Sequence, residues 1–353
     1  MELKVDVEPR RILCYFDGFE VSRPHSGKVG IFGIHSTLKL WGADYILCES
    51  IEKFQHKLIE IKEKAIVCLI VLDKISPEIV SILENAKNTY DVMLVTDEKV
   101  PLAESQQNLS RVVSHYLNIS QSHLATTSLI SAVKKTISRD VFGPEKYLGY
   151  GTPIHYFSLS RSEERIWLVD FLIDFVSGLD GVIPSGALEF ARKAGDVLDE
   201  LLMNAIWDAN PARNNKERDV PVFLKPHEAV KVSWGVDGNL LAVSVTDPFG
   251  TLQREDMELY QDEVLGQIQG KIVKVNRNGP GAGIGLHMVL RRVTGLIINL
   301  NPGVSTEFLA LFDLTHSPRY LSKGPKTFHF FSVKSLFSQL KKSHQIARHK
   351  LPY

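Results

Sequence analysis

The sequence predicts an α/β domain followed by an α+β domain: a doubly wound parallel sheet over residues 1–145 and an α/β sandwich over residues 161–315. In the first region, short apolar runs alternate with helical stretches, which is the pattern of a parallel sheet with crossover helices. In the second region, an amphipathic helix precedes an alternating strand and a glycine-rich stretch. Residues 146–160 are predicted to be a linker and residues 316–353 a basic C-terminal extension.

Each strand predicted for the first domain is a short run rich in β-branched and aromatic residues. Helical stretches fill the intervals, and a last helix is predicted near Leu129–Ser138. Three cysteines lie in these strands without metal-ligand spacing, so Cys14, Cys48 and Cys68 are predicted to be buried thiols in a reducing cytoplasm. The predicted strands are Arg11–Phe16, Tyr45–Glu49, Ile66–Leu72, Val92–Thr96 and Val112–Leu117.

Composition and charge indicate a cytoplasmic protein. The 353 residues carry 41 Lys and Arg against 41 Asp and Glu, so global charge favours neither a nucleic acid nor a membrane as partner. No apolar run approaches the length of a membrane-spanning helix, and we expect no signal peptide.

The most informative stretch is Asp199–Ala205. Glu200, Asn204 and Asp208 are spaced four apart, which predicts a polar row on one face of a helix beside an apolar stripe. Mg²⁺ takes oxygen ligands, usually one or two from protein and the rest from phosphates and water. The amide oxygen of Asn204 can supply one without adding negative charge. An ordinary amphipathic helix with solvated carboxylates is the alternative for this stretch taken alone.

Two later motifs follow in the second domain. An alternating strand leads into Asp247, with Gly250 in the turn beyond it. Farther on, Gly281, Gly283 and Gly285 precede a predicted helix that begins at Leu286. Uncrowded N–H groups before a helix N-terminus favour phosphate binding. A strand-to-turn Asp and a flexible glycine loop are the simpler interpretations of each motif by itself.

In this order, the motifs resemble the ATP-binding domain shared by histidine kinases, anti-sigma-factor kinases, Hsp90 chaperones, type II topoisomerases and MutL-type repair proteins. The resemblance covers residues 155–315. It is close at the N box and at the second glycine box. The first glycine box is only partly kept, because Phe249 and Thr251 stand at its two glycine positions.

The resemblance implies ATP and Mg²⁺ as cofactors. It implies that Asn204 holds Mg²⁺, that Glu200 positions or deprotonates the attacking group, and that Asp247 accepts a hydrogen bond from the adenine amino group. The nucleotide-contacting positions it implies are Asn204, Asp208, Asp247, Gly250, Gly281, Gly283, Gly285, Leu286 and Thr306.

The first domain resembles a response-regulator receiver. Asp73 ends the third predicted strand, and Pro77 follows four residues later as in the receiver motif. Phe16 occupies the first of the two acidic positions after strand one, and the Lys after strand five is replaced. Phosphoryl transfer to an Asp needs a metal and a cation to neutralise developing charge. We therefore predict a pseudo-receiver, in which Asp73 is the candidate phosphoacceptor.

Together the resemblances imply a signal-transduction protein that binds ATP and regulates a protein partner, by serine/threonine phosphorylation as in anti-sigma-factor kinases. One alternative is a histidine-kinase-like enzyme acting on an acceptor in another chain, and a second is a non-catalytic nucleotide sensor or scaffold. The expected partners are ATP or ADP, a regulatory protein and a second copy of the chain.

The C-terminal extension is strongly basic. Residues 316–353 contain eight Lys and Arg and no Asp or Glu. Leu336, Phe337, Leu340 and Ile346 would lie on one face of a short basic helix. An acidic protein, a nucleic acid and an anionic membrane surface are the candidate partners, and a solvated tail is the simpler interpretation.

Overall fold

The structure is a computed structural model of the chain. It describes the following residues: 12–16, 36, 38–40, 44–61, 67–71, 76–86, 90–96, 109–118, 122–179, 186–213, 220–253, 282–324 and 326–333.

These residues fall in two compact units. The first unit contains the described residues up to Asp140 together with residues 326–329. The second unit contains residues 141–253, 282–324 and 330–333. Within the described ranges, no helix combines the length and the apolar character that crossing a membrane requires.

The first unit is built on a parallel sheet in the order β2-β1-β3-β4-β5. All five residues of β3 are buried, as expected for a central strand of a parallel sheet that is covered on both faces. Each strand begins and ends within three residues of its predicted bounds. The strands are β1 (Ile12–Phe16), β2 (Tyr45–Cys48), β3 (Val67–Val71), β4 (Asp91–Thr96) and β5 (His115–Asn118).

Helices alternate with these strands. Ser50 caps the first helix by accepting the Lys53 N–H group at 3.3 Å. The three cysteines lie in β1, β2 and β3 and are buried, as predicted, and burial raises the pKa of the Cys14 thiol. The helices are α1 (Ile51–Glu60), α2 (Pro77–Ala86), α3 (Leu109–Val112) and α4 (Ser122–Ser138).

A strand from the end of the chain joins the first unit. The strand β11 (Thr327–Ser332) pairs antiparallel with β5, and His329 lies opposite His115. The sequence predicted this region to be a basic extension without a strand. The pairing joins residues more than 200 positions apart, so local sequence patterns carry no signal for it.

The second unit contains an antiparallel sheet in the order β9-β10-β8-β7-β6. Trp234 is fully buried in β7, and the Phe157 ring of β6 stacks on it at 4.9 Å. The strands are β6 (His155–Leu159), β7 (Val230–Val236), β8 (Leu240–Asp247), β9 (Gly295–Asn301) and β10 (Ser305–Asp313).

Three helices of the second unit pack side by side. The central one, α6, contacts both α5 and α7. Its apolar residues recur every three or four positions, which buries one face from Phe190 to Leu202. Rings of α5 lie against Trp234, so this helix covers β6 and β7. The helices are α5 (Glu164–Ser177), α6 (Ala187–Met203), α7 (Ala282–Arg292) and α8 (Tyr320–Lys323).

Residues 146–160, which the sequence predicted to be a linker, contain strand β6. The segment before this strand also packs within the second unit. Tyr147 is 1% exposed, and the Gly149 N–H group donates to Asp237 at 2.9 Å. The Gly, Pro and Tyr residues that suggested a linker therefore form an ordered approach to the edge strand.

Candidate functional site

Asp247 ends β8 and lies directly opposite Thr306 of β10. Their side chains are almost fully buried, with 3% and 1% exposed. The Oδ1 atom of Asp247 accepts the backbone N–H groups of Phe249 at 2.8 Å and Gly250 at 3.1 Å. One carboxylate oxygen therefore closes the turn after β8, as a strand-to-turn Asp commonly does.

Burial raises the pKa of Asp247 from its ordinary value of 3.8, because it disfavours the charged form. The N–H groups of Phe249 and Gly250 and the neighbouring Thr306 act in the opposite direction. The Thr306 hydroxyl is buried and interacts with the Asp247 carboxylate, and this interaction is one of the effects that lower the pKa of that carboxyl.

The turn after β8 is attached to two neighbouring segments. The Thr251 hydroxyl donates to the Ala209 carbonyl at 2.9 Å, and the Gly303 N–H group donates to the Gly250 carbonyl at 2.9 Å. Gly250 has a φ of +60°, and a Cβ there would lie 2.8 Å from the Gly303 nitrogen. The turn itself therefore requires glycine at position 250, whether or not a ligand binds beside it.

Helix α6 ends in a change of helical geometry. It carries Glu200 on a half-buried face, and a π-helical turn follows over Asn204–Asp208. The Ala209 N–H group donates to the Asn204 carbonyl at 2.8 Å. The sequence predicted that Glu200, Asn204 and Asp208 form one row along an uninterrupted α-helix. The wider π turn changes the direction of Asn204 and Asp208 relative to Glu200. Such π turns occur frequently at functional sites.

Glu200 lies against the next helix of the site. A Cβ on Gly285 of α7 would overlap the Glu200 carboxylate, so the two helices approach closely only because residue 285 is glycine. A cavity of about 170 Å³ opens between α6 and α7, with Glu200 in its lining. Nearby, Arg292 Nε lies 3.1 Å from Asp196 Oδ2 and bridges the same two helices.

Helix α7 begins at Ala282, four residues before the predicted start at Leu286. Gly283 and Gly285 therefore lie in its first turn, where N–H groups have no partner within the helix. Leu286 is 3% exposed and belongs to the core. Gly281 lies outside the described residues.

The candidate phosphoacceptor of the first unit, Asp73, also lies outside the described residues. Thr96 ends β4 and is fully buried, with its hydroxyl 2.9 Å from the Tyr116 hydroxyl. Across the described part of the chain, no three His, Cys, Asp or Glu side chains converge on a metal position.

The structure also contains a buried carboxylate that sequence reasoning missed. Glu307 is 2% exposed, and it points to the sheet face opposite Thr306 because side chains alternate along a strand. Ser244 Oγ donates to Oε1 and Asn299 Nδ2 to Oε2, each at 2.5 Å. The Gly143 N–H group donates to the same carboxylate at 3.1 and 3.2 Å.

Glu307 borders a cavity of about 770 Å³ on this sheet face. Lys231, Thr246 and Ser305 contribute to the same lining. A signal existed in the sequence: an acid at an inward position of an otherwise apolar strand requires buried donors. The donors come from three separate segments, so their identity was not readable from β10 alone.

No protein-family model matches the chain, and no curated protein is significantly similar to it.

Proposed function

We propose that the second unit binds ATP with Mg²⁺ and that the protein uses this nucleotide to regulate a protein partner. The observation that carries the proposal is the buried pair of Asp247 and Thr306 on adjacent strands. The pair offers a carboxylate for a base amino group beside a buried hydroxyl.

The residues present fit a magnesium nucleotide. Asn204 is half-buried in the π turn, and the turn beyond Asp247 is bonded to the end of that π turn through Thr251 and Ala209. The first turn of α7 adds backbone N–H groups and the positive end of a helix dipole, which favour phosphate oxygens. Bound Mg-ATP would supply a transferable phosphoryl group, and Asn204 would hold the ion.

The folds of the two units support a more specific assignment of each unit to a fold family. The parallel order β2-β1-β3-β4-β5 is that of the flavodoxin-like folds, to which response-regulator receivers belong. An antiparallel sheet packed against α5, α6 and α7 agrees with an ATPase of the histidine-kinase type. We therefore propose a pseudo-receiver joined to an ATP-binding domain of the histidine-kinase and Hsp90 superfamily.

The position of Glu200 favours phosphoryl transfer over sensing. Its carboxylate lies against the first turn of α7, where the proposed phosphates would bind. An acid there is useful for positioning or deprotonating an acceptor hydroxyl. A sensor that only binds ATP has no need for it, since Gln would preserve the helix equally well.

The fate of the γ-phosphate tests this function. We expect wild-type protein to transfer labelled phosphate to a co-purifying protein or to water. Glu200→Ala should retain ATP affinity and lose about 10²–10⁴-fold in transfer rate. Transfer at background in the wild type, with ATP still altering partner affinity, would assign the protein to the sensor class. A wild type that does not bind Mg-ATP would contradict the whole proposal.

A further inference from the structure

Helix α5 has an uncovered apolar strip formed by Ile166, Trp167 and Phe171. Their side chains are 60%, 55% and 39% exposed, whereas Leu168 and Leu172 on the opposite side are buried. A helix that is apolar on both sides normally packs against something on both sides. The described residues supply a partner for only one of them, so the α5 strip is a candidate interaction surface.

Packing behind the α5 strip holds its rings in place. The Trp167 ring stacks on Phe171 at 5.4 Å, and Phe157 of β6 contacts them at 5.9 and 5.7 Å. Phe171 also lies 5.9 Å from Trp234. Because neighbouring rings already hold these side chains in place, they lose little side-chain entropy when a ligand covers them.

Acidic residues flank the α5 strip. Glu163, Asp170 and Asp174 are all exposed. They lie three or four positions from Trp167 or from each other, so they share its face of the helix. A symmetric contact between two α5 strips would bring these like charges together, which is unfavourable. The chemistry instead fits an apolar segment that carries positive charge.

Residues 334–353 of the same chain have that composition. They contain five Lys and Arg and no Asp or Glu. The spacing of Leu336 and Leu340 predicts one apolar helix face, and Lys341 and Lys342 follow at once. The last described residue before this segment, Val333, lies beside β9, since its N–H group donates to the Leu300 carbonyl at 2.8 Å.

We propose that residues 334–353 of one copy dock on the α5 strip of a second copy. The reach of the chain keeps one residue of the segment, Leu336, from the α5 strip of the same copy. From β9 to β7, which α5 covers, there are three strand spacings, or about 14 Å. Leu336 follows Val333 by three residues, which span at most about 11 Å. This contact joins two copies of the chain, and it gives the basic segment an acidic protein partner.

Sedimentation of the full chain over a range of protein and salt concentrations tests the proposal. We expect association that weakens as salt rises, because the contact includes exposed charges. Lys341→Glu with Lys342→Glu should weaken it at least about tenfold, and so should Asp170→Lys with Asp174→Lys. Combining all four changes should restore most of the association, because opposite charges again face each other.

A matched control separates the surface from net charge. Glu49→Lys with Glu78→Lys makes the same charge change at exposed acids of the first unit and should leave association intact. A chain that stays monomeric, or association indifferent to both charge-reversed pairs, would overturn the proposal. So would loss of association in the control, or a basic segment that binds anionic vesicles while the Asp170 and Asp174 changes have no effect on association.

Discussion

The two units differ in the charged side chains that they bury. In the first unit, His115 and His329 face each other across β5 and β11 with ring centroids 5.4 Å apart, and Lys135 is 1% exposed. In the second unit, the buried groups Asp247 and Glu307 are acids that accept backbone or side-chain hydrogens. The described interior of the first unit therefore holds bases beside its thiols, whereas that of the second holds hydrogen-bonded acids together with Arg213, which pairs with Glu228.

Because of this difference, we expect a change of pH to alter the stability of the two units in opposite directions. Burial first, and then His115 and Lys135, hold the pKa of His329 well below its usual 6.5. Burial raises the pKa of Asp247. Falling pH therefore destabilises the first unit through His329, while it relieves the second unit of a buried negative charge.

Removal of the Glu307 carboxylate should cause the largest change in this comparison. Glu307→Leu strands the donors of Ser244, Asn299 and Gly143 in the interior, so we expect a loss of about 3–5 kcal/mol. Chemical denaturation of the full chain measures it. Glu307→Gln keeps one acceptor oxygen, and the Asn299 amide can turn its Oδ1 toward the new NH₂ group, so this variant should cost less than half as much. Equal losses for the two variants would show that the network is not held by its charge.

Acid should unfold the first unit before the second. The folded-state pKa of His329 lies below the unfolded value, so stability is complete above about pH 6.5 and falls below it. The slope reaches at most about 1.4 kcal/mol per pH unit for each histidine. His329→Phe should flatten this slope. Hydrogen exchange of the β5 and β8 amides at two pH values would compare the stability of the two units. Equal loss of protection in both strands at the lower pH would contradict the contrast.

Gly285→Ala should disturb the junction of α6 and α7. The new methyl group overlaps the Glu200 carboxylate, and such overpacking costs about 1–3 kcal/mol. Glu200→Ala in the same chain should remove most of the cost, giving a strong coupling in a double-mutant cycle. Gly149→Ala is the control, since its Cβ would meet neighbours only at 3.7 Å. Additive effects at 200 and 285 would refute the contact.

Asp247→Asn should have the smallest effect on stability. The amide oxygen can still accept the N–H groups of Phe249 and Gly250, and the buried charge disappears. Because the folded-state pKa of Asp247 is raised, the wild-type penalty appears as pH rises through that pKa. We therefore expect a gain under about 1 kcal/mol at neutral pH that vanishes below pH 3.8. Thermal melts across this range measure it.

Local sequence patterns were sufficient to predict those strands and helices in which the order of apolar residues reflects which side is buried. Strands β1 to β4 are mostly apolar runs and lie within one residue of their predicted bounds, whereas the mixed strand β5 begins three residues after its predicted start. The helical period around Asp199–Ala205 predicted a helix there, and the structure shows its full length as α6. The burial of Cys14, Cys48 and Cys68 was predictable because they lie in the apolar runs of β1, β2 and β3. The assignment of these elements to a pseudo-receiver and an ATP-binding domain stays a prediction.

Long-range contacts decided the rest. β11 joins β5 through a pairing distant in sequence, and β6 forms by pairing with β7 directly after a stretch rich in Gly and Pro. The earlier start of α7 brings Gly285 into the helix, where it lies against Glu200 of α6. The Glu307 network needs donors from three segments at once. None of these has a periodic signature in the sequence.

The comparison of nucleotides by isothermal titration tests the central claim most directly. Wild-type protein should bind Mg-ATP more tightly than Mg-GTP. In Asp247→Asn the amide oxygen is retained by the Phe249 and Gly250 N–H groups, so its NH₂ would face the adenine amino group as a second donor. ATP affinity should then fall by at least about tenfold without loss of fold. Undiminished ATP binding in this variant, or none in the wild type, would contradict the account.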